Sequence, residues 1–173
     1  NSFDLMDFLN YLFFFPTFLA GPMTGLKDSI GILLETSKKN DELIQGVRRI
    51  VIGSAKKYIL ADSLSLLGLS EYSIGLVNSS FWMWVMVFAY GFRIYFDFSG
   101  YTDIAIGMAK FIGISLPENF MKPFLSRNLI IFWNNWHITL TQWFRTYYFN
   151  PINRFFKTRK VNYSQGVDRK SVV

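Results

Sequence analysis

The stretch IGLVNSSFWMWVMVFAYGF, Ile74 to Phe92, carries no charge over 19 consecutive positions. That is about the length an α-helix needs to cross the hydrocarbon core of a bilayer. Apolar and polar residues never alternate for long, so a strand is a poor reading. Downstream the run continues through Arg93 into YFDFSGY, Tyr95 to Tyr101. Upstream, Phe8 to Leu26 is a second uncharged run of 19 residues. It contains Pro16 and the turn Ala20-Gly21-Pro22, which predict a kink or a helix end near Gly21.

A third apolar block, Asn128 to Phe144, has no formal charge and holds the only histidine in FWNNWHITLTQWFR, Phe132 to Arg145. Imidazole is the side chain whose ordinary pKa lets it exchange a proton near neutrality, and ionisable groups in apolar surroundings are functional candidates. If the block is one helix, His137, Thr141 and Arg145 recur every four residues on one face, with Asn134 just before them. Trp133, Trp136, Leu140 and Trp143 would cover the rest. A histidine packed structurally among tryptophans is the plain alternative. The block is short and polar on one face, so it reads as a buried or re-entrant helix.

The composition agrees with a membrane setting: 51% of residues are hydrophobic and 19% aromatic, a heavy load for a soluble domain. The net charge of +6 suits basic loops beside a membrane better than nucleic acid, whose stacking platforms would have to be exposed. The absence of cysteine excludes disulfides, and with one histidine no metal site is expected. Lys38, Lys39, Arg48, Arg49, Lys56 and Lys57 crowd one segment, and Arg154, Lys157, Arg159 and Lys160 another. Arg49 and Lys56 share a helical face opposite much of Ile50, Val51, Ile59 and Leu60. Both clusters are read as cytoplasmic loops or interfacial helices, against a plainly solvated face.

The middle block holds further polar groups: Arg93, Asp97, Ser99, Thr102 and Asp103. Arg93 and Asp97 stand at i and i+4, so mutual neutralisation within one helix is the natural expectation. A structural or pore-lining role is favoured over acid–base partnership of Asp97 and Asp103, which do not share a helical face. Ser99 and Gly100 would allow a close helix approach. GISLPENFMKPF, Gly113 to Phe124, has Pro117 and Pro123 around Glu118 and Asn119 and reads as an ordered loop leading into the histidine segment.

No basic region followed by a cleavage site opens the chain, so no signal peptide is expected. Asp168 to Val173, DRKSVV, follows a loss of all hydrophobic periodicity and is expected to be a non-native tail. Residues 1–167 are expected to form part of a larger polytopic domain, cut at both ends.

The string YFDFSGYTDIAIGMAKFIGISLPENFMKPF, then FWNNWHITLTQWFR, with LFFFPTFLAGPM (Leu12 to Met23) upstream, resembles the membrane-bound O-acyltransferase family. Within it the chain resembles the bacterial alginate O-acetyltransferase and teichoic-acid D-alanyl transferase types. The resemblance runs from about Leu5 to about Pro151. It implies an all-α fold, transmembrane and tilted or re-entrant helices around a tunnel, in the bacterial cytoplasmic (inner) membrane.

It further implies transfer of an acyl group, expected to be acetyl, to hydroxyls of an extracytoplasmic polysaccharide or cell-surface polymer. The donor would be a thioester on an acyl carrier protein or coenzyme A, delivered from the cytoplasmic side as a substrate, with no cofactor. Membrane lipids and secreted acetylation proteins are the further partners it implies. His137 matches the first of two important family histidines. The second, the expected base, would lie beyond this chain, so the chain alone is expected to be inactive. Trp133, Asn134, Thr141, Arg145, Asp97 and Tyr101 are the expected tunnel-lining residues. Thr146, where many relatives carry Asp, and Phe149 to Ile152, in place of a Gly-rich continuation, depart from the pattern. A transporter or channel segment and a non-catalytic scaffold are the alternatives from the residues alone.

Overall fold

The structure, a computed structural model, describes residues 4–14, 22, 40–67 and 79–158. All regular structure among them is helical. They fall into two compact units, one up to Pro117 and one from Glu118 on.

In the first unit, α1 (Leu5–Leu12) is followed by α2 (Asn40–Ser54), which passes into a π-helical stretch, Ala55–Ala61, and the short α3, Asp62–Ser65. The main element is α4, Ser80–Phe111, 32 residues or roughly 48 Å long. Four glycines decide how α2 meets it. A Cβ on Gly46 would lie 3.0 Å from the Gly107 carbonyl oxygen, and one on Gly53 only 2.6 Å from that of Gly100. The helices are therefore antiparallel and touch backbone to backbone at two points seven residues apart. Bulkier side chains would keep the axes apart; glycine lets van der Waals contact run along the backbones themselves. Along the stretch Ser99 to Ala109 the buried side chains of α4 are correspondingly small: Ser99, Gly100, Thr102, Ala105, Gly107 and Ala109, with Asp103 and Ile106 the larger members.

Between the two glycine contacts lies Asp103, only 8% exposed. Arg49 Nε stands 3.1 Å from Asp103 Oδ1, and Lys56 Nζ donates to Asp103 Oδ2 at 2.6 Å. The shared face of Arg49 and Lys56 thus turns inward onto α4, where the sequence reading had it on a loop or at an interface. A buried carboxylate needs compensating charge, and two cations seven residues apart on the facing helix supply it. The expected Arg93–Asp97 pair is also replaced. Asp97 is bridged by Lys57. With the cation N-terminal to the acid, the i, i+4 pair has the less favourable orientation, and a lysine from the packed helix displaces it.

The C-terminus of α4 closes with a Schellman motif. Gly113 adopts φ 79°, its N–H donates to the Lys110 carbonyl at 3.1 Å, and that of Ile114 donates to the Ala109 carbonyl at 2.9 Å. Glycine is needed here because a side chain at that φ is strained.

The expected membrane spans lie in part outside the described residues. No helix among the described residues is long and apolar enough to cross a membrane. The uncharged part of α4 is Ser80 to Phe92, about 20 Å of helix against a hydrocarbon core of roughly 30 Å. Beyond it come Arg93, Asp97, Asp103 and Lys110. Ile74 to Asn78, most of Phe8 to Leu26, Lys38, Lys39, Arg159, Lys160 and the tail Asp168 to Val173 lie outside the described residues.

In the second unit an ordered loop leads to a single 3-10 turn, Pro123–Leu125, then α5 (Leu129–Asn135), α6 (Ile138–Phe144), a π-helical stretch Arg145–Phe149, and α7 (Asn150–Thr158). The Asn128 side chain caps α5 by accepting from Ile131 N–H at 2.8 Å.

Candidate functional site

The segment expected as one helix is two. Trp136 is extended at φ −101°, ψ 124°, and His137 is left-handed at φ 45°, ψ 56°. His137, Thr141 and Arg145 therefore do not form one unbroken stripe. Left-handed backbone on a residue with a Cβ costs about 1–2 kcal/mol, so the bend must be held from outside. Two loop residues hold it. The Asn119 backbone carbonyl accepts from Ile138 N–H at 3.0 Å, and Met121 N–H donates to the Asn135 carbonyl at 3.0 Å.

The Asn119 side chain completes the clamp. Its Oδ1 lies 3.3 Å from Thr139 N, 3.0 Å from Thr139 Oγ1 and 3.0 Å from His137 Nδ1. The first two N–H groups of α6, which have no partner inside their own helix, are thus both received by Asn119. Asn119 is 1% exposed and Thr139 2%. Neither was singled out as functional in the sequence, although the two flanking prolines did mark the loop as ordered.

Aromatic rings wall the bend. Phe120 meets Trp136 edge-on with centroids 5.2 Å apart and lies 6.4 Å from the His137 ring. Phe132 stacks on Trp136 at 5.6 Å, and Phe124 meets both. Half-buried among them, His137 loses hydration, and this desolvation lowers its pKa below the usual imidazole value, opposed by a hydrogen bond with its own backbone. The ring is neutral at pH 7 and fitted to accept a proton or orient a group that does.

The other expected site residues divide between the units. Thr141 Oγ1 donates to the Trp136 carbonyl at 3.4 Å, and Arg145 Nη2 to Asn134 Oδ1 at 3.4 Å. Their polar groups tie α5 to α6 across the bend. Trp133 is exposed and sits edge-on to Phe132. Asp97 and the half-buried Tyr101 belong to α4 in the first unit.

A helical chain that presents a neutral histidine on a clamped, aromatic-walled bend has the makings of a proton-transfer centre. The model of the membrane-bound O-acyltransferase family matches residues 1–165, and the chain belongs to that family. It is 35% identical over 145 residues to the probable alginate O-acetylase of Pseudomonas aeruginosa, covering 83% of this chain and 28% of that protein. With the teichoic acid D-alanyltransferase of Streptococcus thermophilus it shares 35% over 175 residues, 92% of this chain and 41% of the relative. The peptidoglycan O-acetyltransferase of Helicobacter pylori is 33% identical over 161 residues, 88% and 30% respectively. The chain thus spans well under half the length of these relatives.

Proposed function

We propose that this chain is part of a membrane-embedded O-acyltransferase of the bacterial envelope. It moves an acyl group, acetyl in the first instance, from a thioester to hydroxyls of an extracytoplasmic polysaccharide or cell-surface polymer. Three relatives named for acyl transfer, each with a polymer in its name, support the reaction class. The donor, on an acyl carrier protein or coenzyme A, reaches the site from the cytoplasmic face of the inner membrane. Membrane lipids surround the protein, and secreted acetylation proteins act with it.

The observation that carries the reading is the half-buried, neutral imidazole of His137 on its clamped bend. In the reaction the acceptor oxygen bonds to the thioester carbonyl carbon and the carbon–sulfur bond breaks. The hydroxyl proton leaves through the imidazole, directly or by way of a second histidine from the remainder of the protein, and the departing sulfur takes up a proton. A base positioned in a dry site is worth about a hundred- to ten-thousand-fold in rate.

His137→Asn in the full-length protein is the test, because Asn tolerates the left-handed conformation that Ala would strain. Ester content of the polymer should fall at least a hundredfold at unchanged protein abundance. Wild-type transfer per molecule would make His137 structural and overturn the reading. The isolated 173-residue chain, lacking the second histidine, is expected to show no turnover.

A further inference from the structure

The amide of Asn119 decides which nitrogen of His137 is basic. Thr139 N–H can only donate, so the Asn119 atom facing it must be the carbonyl oxygen; the flipped amide would set donor against donor. The same oxygen carries no proton, and at 3.0 Å from His137 Nδ1 it can only be receiving one. A neutral imidazole has a single N–H. With Nδ1 protonated, the lone pair is on Nε2.

Two further features make this arrangement rigid. The Asn119 backbone carbonyl is engaged by Ile138 N–H, so the residue is held at both ends against the first turn of α6. The Asn119 Nδ2 is buried with no hydrogen-bond partner, an omission that usually costs about 1–3 kcal/mol. The side chain is thus oriented by what its oxygen receives, at the expense of its own donors.

We propose that Asn119 is a positioning residue for His137: its side-chain oxygen holds the ring in the Nδ1–H tautomer, so that Nε2 is the atom presented to the reacting groups. The use of Nε2 rests on the acyltransferase reading above; the tautomer does not.

Both parts are tested on the full-length protein in detergent, with histidine labelled by 15N in the ring and the His137 signals identified by their loss in His137→Asn. Above the pH range in which imidazole titrates, the wild type should show a protonated Nδ1 and a bare Nε2. Asn119→Asp retains the oxygen acceptor and should keep both that signature and acyl transfer within about tenfold of wild type, measured where His137 is neutral. Asn119→Leu, of similar size, should yield mixed tautomers, with kcat down a hundredfold or more and KM little changed.

An Nε2–H tautomer in the wild type would overturn the assignment, as would Asn119→Leu with an unchanged spectrum and full activity. Should Asn119→Leu fail to accumulate, the wild-type and Asn119→Asp spectra decide alone. Full transfer in His137→Asn would remove the functional reading while leaving the tautomer to stand or fall on its spectrum.

Discussion

Replacing Gly53 with alanine tests the backbone contact on which the first unit is built. The new methyl carbon would stand 2.6 Å from the Gly100 carbonyl oxygen and 2.9 Å from both Asp103 Cβ and Ile104 Cγ1. Ordinary contact begins at 3.4 Å, so α2 and α4 must part locally by roughly 0.8 Å. The nearest atom is backbone and cannot swing aside. Overpacking of this kind costs about 1–3 kcal/mol, while alanine in a helix interior gains about 1 kcal/mol over glycine. The net effect is a destabilisation of about 0–2 kcal/mol. Gly91, also on α4, is the control: a Cβ there meets nothing within 4 Å, so Gly91→Ala should stabilise by up to about 1 kcal/mol. The two variants should differ by roughly 1–3 kcal/mol, read as thermal midpoints from tryptophan fluorescence of the full-length protein in detergent. Equal stabilisation by both would refute the close crossing.

Asp103→Asn leaves Arg49 and Lys56 facing a neutral amide. Because both cations keep 26% side-chain exposure and can rehydrate in part, the expected loss is about 2 kcal/mol, below that for a fully buried pair. Adding Lys56→Gln should recover part of it in a double-mutant cycle, and unchanged stability in the single variant would show that the cluster is not a stabilising one. Stability should also depend on pH through His137. Its folded pKa is lowered by burial, whereas unfolding returns it to about 6.5. Below that value the unfolded chain binds the extra proton, so the contribution is complete above pH 6.5 and is lost as pH falls through the folded pKa. The wild-type midpoint should fall relative to that of His137→Asn in this window, and parallel curves would contradict the desolvated site.

What was legible in the sequence was local. The helical character followed from the long apolar runs and the absence of alternation. The ordered loop before the histidine followed from Pro117 and Pro123, and the close approach at Gly100 from its small neighbours. The readings that failed depended on residues far apart in the chain. Lys56 and Asp103 are separated by 47 positions, and nothing in the lysine-rich segment reveals that its charges turn inward. The span expected at Ile74 to Phe92 lies in part outside the described residues, and the part described, Ser80 to Phe92, opens the helix that runs on through Arg93, Asp97 and Asp103. The break at His137 was invisible because histidine is not a residue that announces a left-handed turn, and Asn119, 18 positions earlier, imposes it. The lone imidazole in an uncharged aromatic block singled out the histidine; only the fold supplied its partner.

The π-helical stretch at Ala55–Ala61 has a consequence for how this chain can vary. A wider turn absorbs one more residue than an α-helix would, which sets the angular phase between the glycines upstream and the lysines that reach α4. Deleting Ala55, just ahead of the lysines, would draw each of them back by one position along the helix. Gly53 could then still meet Gly100, but Lys57 would no longer face Asp97. A stretch that looks like a local irregularity therefore counts residues, and sequences sharing this packing should tolerate substitutions there far more readily than changes in length.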